Sequence, residues 1–214
     1  MIKNKDKSII LLNDTRLTSK SKINLESHEL VRCDHASNTA VAGGAAMAVP
    51  KTMAFKPVNS NFNETSIIEV DLLNLLNKNN GRKIDKTRTK IITRNLHLGK
   101  KIEKEFFEEI LQGGNSDLFI VMGDLNGRMN ICQGEGWNDS GQKIWDYAEE
   151  FGFTVENDGS PTFFPAGGGS LASLDVCLVK SKFNLEMSWQ VLDSVGSDHL
   201  NFGSKPTNAQ VEKD

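Results

Sequence analysis

Asp124 and Asn126 stand two residues apart at the end of the apolar run Leu118-Phe119-Ile120-Val121-Met122-Gly123. A buried strand over this run puts both side chains on one side, because successive side chains alternate across a strand. An aspartate so placed can bind a metal or orient a water. An asparagine amide can donate to a phosphoryl oxygen without adding negative charge. The same pair can equally close an Asx turn that ends the strand. Asp175 lies inside a second apolar run, Leu174-Asp175-Val176-Cys177-Leu178-Val179, where an unpaired carboxylate is costly to bury. It needs a partner, and His199 of Ser197-Asp198-His199 is the natural candidate. His199 can act as general acid or base, stabilise charge on a phosphate, or simply be a satisfied polar residue. Asp14, in Asn13-Asp14-Thr15-Arg16, is either a hard oxygen ligand suited to Mg²⁺ or a turn cap.

These residues need elements to hold them. Residues 8–12 read as a buried strand, residues 29–32 as a short second one, and the Gly- and Ala-rich residues 41–49 as a strand packed closely on another layer. Residues 66–70 and 90–93 are further strands. The stretch between them, 77–89, has almost no apolar residue and reads as a hairpin loop or disordered insertion. Its basic part, residues 78–90, carries six Lys or Arg against one Asp, which suits either DNA phosphates or plain solvation.

Residues 100–112 predict a helix, with Ile102, Phe106 and Ile110 on one face and Gly113-Gly114 as its stop. Residues 118–122 are the next strand. Ser140 can cap a second helix to Glu150, ended by Gly152. Residues 153–155, 162–164, 174–179 and 189–192 supply short strands. Many strands with two clear helices predict an α+β fold with sheet packed on sheet. Residues 1–203 read as one domain and 204–214 as a polar, frayed tail.

The 214-residue chain is 38% hydrophobic and 25% charged with a formal net charge of -3, an ordinary globular composition. That charge does not hold a protein on nucleic acid by itself, but it does not exclude a nuclease, since a metal site must supply carboxylates. Cys33, Cys132 and Cys177 lie far apart with no CxxC or Cys/His cluster, so reduced thiols are expected, with no zinc site. The apolar run after residue 7 is too short for a signal peptide or a membrane span. The expectation is a soluble, intracellular protein without a membrane partner, nuclear if it acts on chromosomal DNA. Nothing in the chain sets an oligomeric state.

Each motif is modest, but their order is specific. An acid after an early strand, then Gly123-Asp124-Leu125-Asn126, then Leu174-Asp175, then Ser197-Asp198-His199 resembles the endonuclease/exonuclease/phosphatase superfamily. Within it the chain is most similar to the endonuclease domains of non-LTR retrotransposons. The segment Leu12-Asn13-Asp14-Thr15-Arg16-Leu17 is similar to that group's acidic "QETHL"-like stretch. Arg32-Cys33-Asp34-His35 leading to Gly43-Gly44 is similar to its "RxDR…GGG" stretch. The resemblance spans roughly residues 8–202.

The resemblance implies a DNase I-like four-layer αββα sandwich acting as a metal-dependent DNA endonuclease. It implies Mg²⁺ as cofactor, with Mn²⁺ as substitute, and DNA as partner. Asp14 takes the metal-binding acidic position and Asp198 an outer metal or water contact. Asp124 orients or deprotonates the attacking water, and Asn126 contacts the scissile phosphate. Asp175 holds the ring of His199, which stabilises charge developing on phosphorus. Asn95 and Arg16 are the implied substrate contacts. Departures accompany the match. The family pattern opens one strand and one helix earlier, with a metal-holding Asn that has no counterpart here. A family Tyr is replaced by Asn95, or by His97 in a shifted register, and the sole tyrosine is Tyr147. Asp14 is one methylene shorter than the usual Glu. The alternative is therefore a catalytically silent, truncated copy with at most weak nucleic-acid or protein binding.

Overall fold

The computed structural model describes residues 8–34, 43–70, 88–97, 99–112, 116–129, 136–165, 168, 171–182, 184–192, 198–200 and 202–210. Most of the polar stretch 77–89 and Cys132 lie outside these. The chain divides into two compact units: Met1–Asn95 with Gly113–Gly123, and Leu96–Gln112 with Asp124–Asp214.

In the first unit, β1 (Ile10–Asn13), β2 (His28–Cys33) and β3 (Ala45–Pro50) form an antiparallel sheet with β3 in the middle. Every residue of β3 is buried, and Ala45, Ala46, Met47, Ala48 and Val49 are at most 1% exposed. A strand covered on both faces suits small residues, which is why the run is Ala-rich. A second set comprises β4 (Phe55–Val58), β5 (Thr65–Val70), β6 (Thr89–Arg94) and β7 (Leu118–Asp124), in that spatial order. The first three are antiparallel, and β6 and β7 run parallel with Ile92 opposite Val121. Met47 and Val49 of β3 share one core with Ile68, Val70 and Ile91, with Leu11, Val31 and Phe55 packed against it. That core is sheet on sheet, as the alternation of apolar residues predicts. Strand β4 was not legible, because Phe55-Lys56-Pro57-Val58 is short and contains a proline, a residue tolerated at a sheet edge.

The second unit holds α1 (Lys104–Leu111) and α2 (Asp139–Phe151). Helix α1 begins later than residue 100 because Glu103 is extended and makes no side-chain cap. Its Phe106, Phe107 and Ile110 are buried, and each such side chain contributes about 1.5–3 kcal/mol. The Phe107 ring stacks on Phe151 of α2 at 5.6 Å and meets Phe153 edge-on. Helix α2 is capped by Asn138 rather than Ser140, since the Asn138 side chain accepts the Gly141 N–H at 2.7 Å. Gly152 ends it in the left-handed conformation at φ 70°.

Strand β8 (Thr154–Val155) pairs antiparallel with β9 (Asp175–Ser181). Residues 162–164, read as a strand, form only isolated bridges from Phe163 to Ala172 and to His199. Strands β10 (Asn184–Val191) and β11 (Phe202–Gln210) make an antiparallel hairpin. Residues 204–210, read as a frayed tail, are thus in a strand. Cross-strand pairing supplied the order that their polar composition did not announce.

Candidate functional site

In the second unit, Asp175, His199 and Asp124 form a line of contacts. Asp175 is 3% exposed, and its Oδ2 lies 2.9 Å from His199 Nδ1. A carboxylate only accepts hydrogen bonds, so Nδ1 carries the proton that it donates. The other ring nitrogen, Nε2, faces Asp124 Oδ2 at 3.9 Å. The Phe163 ring packs on the imidazole at a centroid distance of 4.9 Å. The pKa of His199 is raised, first by its hydrogen bond to Asp175 and further by the charges of Asp175, Asp124 and Asp198, against the opposing pull of burial. The ring is thus biased toward imidazolium, with Nε2–H directed toward the Asp124 side.

The strand end that presents Asp124 is fixed by close packing. A Cβ added to Gly123 would lie 2.2 Å from the Arg94 carbonyl oxygen, so only glycine lets β7 pass β6 there. The Asx turn is also present: Asp124 Oδ1 accepts the Asn126 N–H at 3.0 Å. Asn126 is left-handed at φ 49°, a conformation that asparagine tolerates better than most residues. Its amide Nδ2 donates to the Leu96 carbonyl, while the Leu96 N–H donates to the Asp124 carbonyl at 2.7 Å. One Asn126 amide hydrogen therefore tethers the chain after residue 95 and is not aimed outward. Asp198 is exposed, and its carbonyl accepts the Phe164 N–H at 2.7 Å; Ser197 lies outside the described residues.

Two residues that the motif order did not mark hold Asp175 by its backbone. Thr162, fully buried, accepts the Asp175 N–H with Oγ1 at 3.3 Å. Asn157, 6% exposed, donates to the Asp175 carbonyl at 2.8 Å and accepts the Cys177 N–H at 2.8 Å. The Thr162 carbonyl accepts the Leu200 N–H at 2.7 Å, so one segment fastens the chain beside both Asp175 and His199. A buried amide or hydroxyl leaves little sequence signature, although Asn157 and Thr162 flank the turn residues Asp158-Gly159.

In the first unit, Asp14 follows β1 with φ 48°, and Arg16 has φ 51°. Asp14 Oδ1 accepts the Gly43 N–H, and Oδ2 accepts Arg16 Nε at 3.1 Å and Nη2 at 3.0 Å. The Thr15 and Arg16 N–H groups donate to the Gly44 and Gly43 carbonyls. The two stretches that sequence marked, 13–16 and 43–44, are therefore laced together. Asn95 is 6% exposed and its N–H donates to the Glu64 carbonyl at 3.1 Å. Glu64 was missed. It is 5% exposed, and its carboxylate lies so close over Gly43 that an added Cβ would stand 2.9 Å from it.

Both Asp14 oxygens are thus engaged, one by a guanidinium, and among the described residues no three His, Cys, Asp or Glu side chains group as metal ligands. The donors are hard oxygens of the type Mg²⁺ takes, but as arranged they do not fit a divalent ion. Among the described residues no helix is long and apolar enough to cross a membrane. Cys33 and Cys177 are free thiols.

Comparison with known proteins follows the same line. The family described as "Endonuclease-reverse transcriptase" matches residues 95–202, which include Asp124, Asn126, Asp175, Asp198 and His199. No match is found among curated protein sequences. Among solved structures, the endonuclease domain of TRAS1, a telomere-specific non-LTR retrotransposon, is 14% identical with a TM-score of 0.65, covering 86% of this chain and 82% of that one. The AP endonuclease LMAP from Leishmania major is 12% identical with a TM-score of 0.66, covering 91% and 76%. The Xenopus laevis APE2 catalytic domain is 12% identical with a TM-score of 0.58, covering 92% and 84%. At these identities the likeness shows the fold, a DNase I-like α+β sandwich. The chain belongs to the endonuclease-reverse transcriptase family of the endonuclease/exonuclease/phosphatase superfamily.

Proposed function

We propose that the chain is a DNA endonuclease that hydrolyses phosphodiester bonds with Asp124, Asn126, Asp175 and His199. The observation that carries this is the line Asp175–His199–Asp124, with contacts of 2.9 and 3.9 Å. Asp124 orients a water and takes its proton as the water oxygen attacks phosphorus. His199 Nε2–H donates to a non-bridging phosphoryl oxygen, where negative charge grows in the transition state. The bond from phosphorus to the leaving oxygen breaks, and that oxygen takes its proton from solvent. Asp175 keeps the imidazole in the required tautomer and orientation. In this reading the second amide hydrogen of Asn126 meets the phosphate.

A Mg²⁺ or Mn²⁺ requirement, with Asp14 and Asp198 as ligands, belongs to this reading. Asp14 would hold an ion only with its Oδ2 released from Arg16. In the same reading Arg16 and Asn95 contact the substrate. Supercoiled plasmid incubated with the protein and either ion tests it. Nicked circles are expected, and plasmid left intact with both ions contradicts it. The second reading, a silent copy that at most binds, is favoured by the engagement of both Asp14 oxygens and by the lack of a Tyr where Asn95, or His97 in a shifted register, stands.

A further inference from the structure

Trp137 and Trp145 are used by neither the core nor the catalytic line. Their ring centroids lie 5.6 Å apart at 78°, and they are 37% and 38% exposed. Trp145 follows the fully buried Ile144 on α2, so it projects off the helix's apolar stripe. Two touching indoles in solvent are a small apolar patch that asks for a ligand.

Asn138 ties this pair to the loop that carries Asn126. Its Nδ2 donates to the Asn126 carbonyl at 2.9 Å, and its Oδ1 accepts the Arg128 N–H at 3.0 Å. Arg128 is exposed and runs along Gly136, where an added Cβ would lie 3.7 Å from Arg128 Cδ and 3.8 Å from a guanidinium nitrogen. The acid in the first turn of α2, Asp139, is paired with Lys101 at 3.0 Å, which limits its repulsion of a phosphate. A planar aromatic corner and an exposed guanidinium therefore sit one cap residue from the loop of Asn126.

We propose that Trp137, Trp145 and Arg128 form a subsite for an unpaired nucleobase of the DNA strand flanking the phosphate that is cut. This rests on the nuclease reading above. A base stacks on an indole whatever its identity, and a guanidinium takes the adjoining phosphate. Two indoles match the area of a base but fall far short of the roughly 800 Å² per partner of a stable protein interface.

Binding of a short fluorescein-labelled oligothymidylate in EDTA, read by anisotropy on the full chain, tests the subsite. The Trp137→Ala/Trp145→Ala variant is expected to bind roughly 10- to 100-fold more weakly than wild type. Trp137→Phe/Trp145→Phe retains aromatic faces and is expected to recover most of that loss, which separates stacking from misfolding. Equal affinity in wild type and the alanine variant overturns the subsite, as does absence of binding by wild type. A change of oligomeric state in the alanine variant with unchanged oligothymidylate affinity also overturns it and marks the patch as a protein contact. Plasmid nicking by wild type beside unchanged oligothymidylate affinity in the alanine variant discards the subsite and keeps the nuclease. Oligothymidylate binding lost in the alanine variant, with no nicking by wild type, keeps the subsite and discards the nuclease.

Discussion

Asp175 donates nothing and accepts the proton of His199 Nδ1 across 2.9 Å, from a position only 3% exposed. The carboxylate is thereby satisfied, and the imidazole is fixed with Nε2 toward Asp124. Asp175→Asn puts a neutral amide there that can favour the wrong tautomer. Nicking by that variant should fall by roughly 10²- to 10⁴-fold with little change in KM, measured by steady-state cleavage of a labelled duplex.

The raised pKa of His199 sets a pH dependence. A group whose folded pKa lies above its unfolded value stabilises the fold fully below the unfolded pKa, about 6.5 for histidine, and loses that contribution as pH rises through the folded value. Activity that needs the imidazolium should fall over the same alkaline window. In Asp175→Asn the decline should begin at lower pH, because the largest cause of the shift is gone. An NMR titration of the His199 ring protons checks this, and an unchanged midpoint would contradict it.

Thr162 and Asn157 hold Asp175 only through its backbone, so their effect on His199 is indirect. Thr162→Val leaves the buried Asp175 N–H without its acceptor and should cost about 1–3 kcal/mol in urea unfolding. It should also move the His199 titration toward lower pH, whereas Thr162→Ser should restore both. A stability loss with an unmoved titration would make Thr162 merely structural.

Gly123→Ala places a methyl group 2.2 Å from the Arg94 carbonyl oxygen. Neither backbone segment can yield cheaply, so the variant should lose roughly 1–3 kcal/mol or more, seen as a lowered Tm.

Arg16→Ala removes the guanidinium from Asp14 Oδ2. Calorimetric titration with Mn²⁺ should show tighter binding to this variant than to wild type. The Arg16–Asp14 pair is exposed on both sides, so the gain should be modest, about 1 kcal/mol or less.

Much of this arrangement was legible in the residues. Asp175 inside an apolar strand demanded a partner, and His199 is that partner. The Gly-rich stretch at residues 43–44 and the acid at residue 14 were marked separately, and the structure laces them together. Other parts were hidden for physical reasons. Strand β11 has a polar sequence and is recognised only by its pairing with β10, and β4 is short and carries a proline. Asn157 and Thr162 act through backbone hydrogen bonds, which constrain position but leave no motif. Glu64 lies outside every motif, and only its burial against Gly43 reveals it. Asn126 forms the Asx turn with Asp124, one of the two readings that its residue type left open.

The most direct test of the Asp175–His199–Asp124 line is cleavage of one labelled duplex by wild type, Asp124→Asn and His199→Ala, purified identically and assayed with Mg²⁺ and with Mn²⁺. Cleavage by wild type is expected, with a loss of at least roughly 100-fold in each variant and all three proteins equally folded by circular dichroism. Equal rates in the three proteins, or no cleavage by wild type, would contradict it.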